Sequence, residues 1–374
     1  MTTDEADAPT VDWLGTQPLA LREGVELITG AGGRTMLVSP AGKYVNVSAS
    51  GMAVVRLLDG EATGAQVIDG LCLAHPDKAA QLHVTLRRFL VDLRQGDVLT
   101  VEPLARSTKE KFTRLGAVDP VKRFSLVADP ARLVAPVVRL LMRVRVRVLV
   151  ATLLAVPVVA VPLVGVALVG HPMTHRPSGW AMVLMVVVMA TQVVVHETCH
   201  AVAMAYNGVR AKSAGVGLLF WFMPVAFVDR TNSYRHQGRA GRALISLVGP
   251  LCDTFFAGVW SIAAMTTHGP ASAFFGTLLL LQVFAVLANV NMLFPSDGYH
   301  ALEAALGSIN MRGRALTYVL RAITRSPQPS YLTVISGRAK VGYVTYVVLS
   351  SLYTALILAF MVINIVLVLS RAVA

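Results

Sequence analysis

The sequence predicts a mainly α protein: a polytopic membrane bundle of about five spans plus a re-entrant segment, preceded by a small α+β winged-helix domain. Three observations predict it. Of 374 residues, 55% are hydrophobic and 14% charged, with a mean hydropathy of +0.62, values of an integral membrane protein rather than a soluble globule. Five apolar runs, near 148–170, 179–205, 243–267, 271–293 and 341–369, each exceed the ~20 residues needed to cross a ~30 Å hydrocarbon layer at ~1.5 Å per residue. Ahead of them, residues 20–102 alternate apolar and polar positions over short stretches and then turn to helical spacing.

Residues 1–19 begin MTTDEADAPTVDW, acidic and polar, with no basic region leading into an apolar stretch. A disordered N-terminus without a cleaved signal is expected, which keeps the front of the protein in the cytoplasm. Within 20–102, strands are expected at Val25–Thr29, Met36–Val38, Lys43–Val47 and Val98–Val101. Helices are expected at Ala49–Leu58, Thr63–Ala74 and Lys78–Gln95, punctuated by Asp59-Gly60 and His75-Pro76-Asp77. A DNA-binding reading, with Arg87, Arg88 and Arg94 on phosphates, is disfavoured because acidic residues are as plentiful here as basic ones. No nucleic-acid partner is expected. The three cysteines, Cys72, Cys199 and Cys252, are too few and too scattered for a disulfide framework.

The stretches LVSPAGKYVNVSASGMAVVRLLDGEAT and TLRRFLVDLRQGDVL resemble the PqqD-like domain that recognises leader sequences of ribosomally made, modified peptides. The resemblance implies a leader peptide added as a strand beside Lys43, Tyr44 and Val45, with apolar anchors near Leu86, Phe89 and Leu90.

Residues 103–147 form a basic juxtamembrane linker with 11 Lys+Arg, ending in Arg139, Arg143, Arg145 and Arg147. This is a positive-inside signal and a surface for anionic membrane lipid. A single membrane-embedded domain is expected over 148–374. Placing those arginines inside puts loop 171–178 outside, and loops 206–242 and 298–340, with six Lys+Arg each, inside. The C-terminus then falls outside. Gly215–Val228 is apolar but broken by Pro224 and too short to cross, so it is read as an extended hairpin or re-entrant segment.

The second span holds HETCH, residues 196–200. Positions i and i+4 share a helical face, so His196 and His200 can converge on one Zn²⁺, with Glu197 placed to take a proton from the attacking water. An ionisable residue in a membrane helix costs on the order of 3 kcal/mol or more unless a partner or cavity receives it, which argues against a packing role. Cys199 points off the ligand face. A hydrolytic zinc site wants a third protein ligand, and only Asp229, Asp253, Asp297 and Glu303 follow position 197 as carboxylates. Glu303, His300, Asp229 and Asp253 remain open as donors. Asp297 is favoured, because it follows the fourth span on the side where the second span ends, and Pro295 and Gly298 let the chain bend back. Asn289 or Asn291 could bond the substrate backbone or its developing oxyanion.

HETCH, RALISLVGPLCD and NVNMLFPSDGYHALEAAL, in this order and spacing, resemble the site-2 protease family of intramembrane zinc metalloproteases, in particular its peptide zinc metalloprotease branch. The resemblance implies one Zn²⁺ per chain on His196, His200 and Asp297, with Glu197 as base. Two positions depart from the family pattern: Asp253 stands where Asn is usual, and Met292 where Pro often precedes the Asp-Gly. The expected function is therefore zinc-dependent removal of the leader from a precursor peptide. The competing reading is cleavage of a transmembrane signalling protein, against which the loops are too short for a PDZ-type sensor. The oligomeric state is left open.

Overall fold

The structure is a computed structural model that describes residues 13–30, 33–102, 121–170, 179–219, 223–326, 328, 332 and 335–373. The expected disordered start up to residue 12, the linker over 103–120 and the external loop 171–178 lie outside the described residues. The chain divides into two compact units, Met1–Leu115 with Leu320–Ser336, and Gly116–Val319 with Gly337–Ala374.

In the first unit the order is α1 (Trp13–Thr16), β1 (Pro18–Ala20), β2 (Glu26–Gly30), β3 (Arg34–Val38), β4 (Tyr44–Asn46), α2 (Ala49–Val55), β5 (Asp59–Thr63), α3 (Gly64–Ala74) and α4 (Ala79–Gln95). Strands β2, β3 and β4 form an antiparallel sheet in that order, with Leu27 opposite Leu37 and Leu37 opposite Val45, so β4 is an edge. Ser48 caps α2 by accepting from the Gly51 amide at 3.0 Å. Thr63 and Gln66 cap α3 reciprocally, Thr63 N donating to Gln66 Oε1 at 2.8 Å and Gln66 N to Thr63 Oγ1 at 3.2 Å. Leu19, Leu37, Ile68, Leu90, Leu93 and Leu99 are the buried centre.

Three features differ from the sequence reading. Asp59-Gly60 opens a strand, β5, which pairs antiparallel with β1. Trp13–Leu19, read as part of the disordered N-terminus, is folded, because Leu14 and Leu19 are buried in this core. Neither stretch has apolar periodicity; isolated leucines and a partner strand about 40 residues away order them. The expected strand at Val98–Val101 is reduced to a bridge between Leu21 and Leu99, flanked by Arg22 N to Val98 O at 2.9 Å and Thr100 N to Ala20 O at 3.0 Å.

The second unit contains β6 (Val121–Val127), α5 (Pro130–Leu141), α6 (Val146–Gly170), α7 (Trp180–Tyr206), β7 (Ala214–Leu219), β8 (Met223–Val228), α8 (Arg239–Thr266), α9 (Gly269–Val290), α10 (Asp297–Ala305), α11 (Met311–Ile323) and α12 (Gly337–Val373). Among the described residues, α6, α7, α8, α9 and the Gly337–Phe360 part of α12 are long and apolar enough to cross a membrane. Their lipid-facing residues, such as Val158, Val186, Phe284 and Leu356, are exposed because lipid is their solvent.

Helix α8 is the hub, packing against α6, α7, α9 and α10. Small residues permit this. A Cβ on Gly258 would lie 3.0 Å from the Ala160 Cβ, and Ala167, Ala257 and Leu279 interlock beside it. Strands β6, β7 and β8 form a three-stranded antiparallel sheet in that order. The hairpin expected at Gly215–Val228 is β7 and β8; β6 comes from within the basic linker. Gly215 is required there, since any Cβ would run into the Phe124 carbonyl oxygen of β6. Helix α5 buries Val134 against the C-terminal end of α7, residues Ala201 to Ala205, and exposes Leu133, Val137 and Leu140.

Candidate metal centre

Helix α7 carries His196, Glu197 and His200, and the helical repeat stacks the two imidazoles on one face, their ring centroids 4.9 Å apart. The ligand atoms of His196, Glu197 and His200 all lie within 4.8 Å of one another. Asp297 opens α10, behind Ser296, whose side chain accepts from the Tyr299 amide. Gly298 makes this turn possible, because a Cβ there would collide with the Val290 carbonyl at the end of α9. The chain thereby swings Asp297 back against α7. Its Oδ2 lies 3.0 Å from His196 Nε2 and 3.1 Å from His200 Nε2, and the two Nε2 atoms are 3.2 Å apart.

The tautomers follow from the outer contacts. His200 Nδ1 sits 2.6 Å from the Ile245 carbonyl oxygen, which can only accept, so Nδ1 is the protonated nitrogen. His196 Nδ1 donates in the same way to Asp253 Oδ2 at 2.9 Å. In the neutral imidazoles both Nε2 atoms are left with lone pairs, and these converge with the Asp297 carboxylate. Three electron pairs within about 3.2 Å of one another repel unless a cation joins them. Donors at ~2.0–2.1 Å from a tetrahedral zinc are about 3.3–3.4 Å apart, which this triangle fits. Gly249 of α8 supplies the clearance, since a Cβ on it would lie 2.5 Å from both Nε2 atoms.

Around this triangle sits a layer of supporting contacts. Asp253, within the third span, also accepts from Gln282 Nε2 at 3.1 Å and from Asn289 Nδ2 at 2.9 Å, so three donors satisfy its buried carboxylate. Arg230 Nη1 donates to Asp297 Oδ1 at 2.5 Å. Burial alone would raise the pKa of Asp297, but the Arg230 guanidinium beside it holds it well below the usual carboxylate range. The carboxylate is thus ionised at neutral pH, as a metal ligand must be. Glu197 Oε2 accepts from the Val228 amide, the last of β8, at 2.8 Å. A cavity of about 300 Å³ opens beside it, lined by Glu197, Val228, Arg230, Tyr234, Arg242 and Glu303 among others.

The remaining candidates fall elsewhere. Glu303 is buried and accepts from the Met311 amide at 2.8 Å, Tyr234 Oη at 3.1 Å and Tyr299 Oη at 3.3 Å, with His300 Nδ1 at 3.6 Å. Asp229 closes its own turn by accepting from Thr231. Asn289 Nδ2 donates to Asp253 Oδ2 at 2.9 Å, and Asn291 Oδ1 accepts from the Leu293 amide at 2.8 Å. In the first unit, Leu86 and Leu90 are core residues, 5% and 0% exposed, whereas Phe89 and Val45 are only partly buried against that core. Lys43 Nζ reaches the Gln95 carbonyl at 3.4 Å, tying β4 to the end of α4. Arg230, Gly249 and the Ile245 carbonyl escaped the sequence reading. A lone loop arginine, a small residue and a backbone oxygen carry no spacing signal.

Residues 34–99 match the sequence pattern of Coenzyme PQQ synthesis protein D (PqqD). No curated protein and no solved structure matches the chain. Residues 184–370, half of its length and including every donor of the triangle, match Peptidase family M50. The chain belongs to peptidase family M50, the site-2 protease family of intramembrane metalloproteases.

Proposed function

We propose that this protein is a zinc-dependent endopeptidase that removes the leader from a ribosomally synthesised, modified peptide precursor. The observation that carries the hydrolytic part is the convergence of two imidazole lone pairs and an ionised carboxylate beside a second carboxylate, Glu197, that borders a cavity. His196 and His200 would hold the zinc through Nε2 and Asp297 through Oδ2. Zinc supplies Lewis acidity and a lowered water pKa when bound. Glu197, steadied by the Val228 amide, accepts a proton from the attacking water and returns it to the leaving amine.

Substrate presentation is proposed for the edge of β8. Its alternation turns the amide of Ala226, like that of Val228, away from β7. An unwound peptide laid along this edge exposes the carbonyl that a helix would hide. The match to the PqqD pattern supports a soluble peptide as substrate. Its leader would pair with the β4 edge beside Lys43, Tyr44 and Val45, raising the precursor's effective concentration at the metal.

The test uses purified protein in detergent or nanodiscs. One zinc per chain is expected, and Glu197→Ala is expected to keep the zinc and cut no peptide. Full activity in that variant would end the protease reading.

A further inference from the structure

We propose that Arg230 is a catalytic residue of this peptidase, the second positive group that receives the charge forming on the scissile carbonyl oxygen; this rests on the hydrolytic reading given above. Arg230 follows the end of β8 by two residues, and the same strand end anchors Glu197 through the Val228 amide. One short segment therefore delivers the base's support and a guanidinium to a single place. Nη1 lies 2.5 Å from Asp297 Oδ1 and 3.2 Å from His200 Nε2, which sets the guanidinium against the donor triangle. Arg230 and Glu197 line the same cavity, so both face the space a substrate would enter.

The donor count leaves capacity for this task. A guanidinium has five N–H groups, and every described side-chain hydrogen bond of Arg230 runs through Nη1. Nε and Nη2 have no acceptor among the described residues. As water adds to the carbonyl carbon, Glu197 takes its proton, the carbonyl π pair moves onto oxygen, and an Arg230 N–H donates to that oxygen. The pair then returns, the C–N bond breaks, and Glu197 passes the proton to the departing nitrogen. A fixed donor that strengthens only as charge develops lowers the barrier without tightening substrate binding.

The experiment compares wild type, Arg230→Gln and Arg230→Lys with a fluorogenic peptide that the wild type cleaves. It also uses that peptide's phosphinic analogue, which carries –PO₂–CH₂– in place of the cut amide. Arg230→Gln is expected to retain one zinc per chain, to lose about 100-fold or more in kcat with KM within about threefold, and to bind the phosphinic peptide more weakly by the factor lost in kcat/KM. Arg230→Lys is expected to recover part of both losses. Unchanged phosphinate affinity in Arg230→Gln, or a loss of activity that comes with loss of zinc, overturns the assignment. If Arg230→Gln does not fold, Arg230→Lys against wild type decides by the same pairing of kcat/KM with phosphinate affinity. A wild-type protein that holds no zinc and cuts no peptide would instead overturn the hydrolytic reading itself.

Discussion

At the scale of single residues, the centre depends on side chains that never touch the reacting atoms. Asp253 holds His196 Nδ1 at 2.9 Å and fixes the tautomer that leaves Nε2 for the metal. Asp253→Asn is expected to weaken zinc binding about 10- to 100-fold, measured by competition with a chromogenic chelator; unchanged affinity would remove Asp253 from the support of the site. Gly249→Ala places a methyl group 2.5 Å from both Nε2 atoms. Because alanine favours a helix over glycine, α8 should persist while zinc stoichiometry falls well below one per chain. The HETCH spacing made the histidine pair readable, since i and i+4 meet on any helix. A charged residue inside a membrane span made Asp253 conspicuous without telling which nitrogen it serves. Arg230 was readable only as one positive charge among those of a cytoplasmic loop, because its role depends on where a strand end points.

At the scale of elements, β8 is poised for pairing on one side and engaged on the other. Pro224, which has no N–H, falls on the side of Ala226 and Val228, where the β7 ladder needs no donor. Ala226→Pro is therefore expected to spare the sheet and the zinc while lowering peptide cleavage at least tenfold. Val225→Pro, whose amide faces β7, should disrupt the sheet and lose both. Cleavage by Ala226→Pro at the wild-type rate would detach substrate pairing from this edge. The apolar run interrupted by proline announced the β7–β8 hairpin. Strand β6 was hidden, because VKRFSLV sits in a basic stretch and exposes Phe124 and Leu126. Its partner, β7, lies beyond two spans, a distance over which local pattern is silent.

At the scale of the whole molecule, the two units make separable contributions. Deleting residues 1–105 is expected to reduce processing of the natural precursor at least tenfold while leaving hydrolysis of a generic unfolded peptide within about twofold, since tethering acts only on a substrate that binds the tether. Equal processing by both proteins would discard the leader-binding role. The run of basic loops on one face sets a second expectation. A cysteine added at the C-terminus should react with an impermeant maleimide on intact cells, and one in the N-terminal unit only after permeabilisation. The number and approximate limits of the spans were legible because lipid imposes length and composition on each helix separately. The contacts between helices were not, since small residues such as Gly258 and Ala160 look alike whether or not they meet. One such long-range contact also times the enzyme's birth. Asp297 lies 101 residues beyond His196, so a chain still emerging from the ribosome has its imidazoles and base in the bilayer before its third donor exists. On the function proposed above, hydrolysis therefore becomes possible only after the fourth crossing.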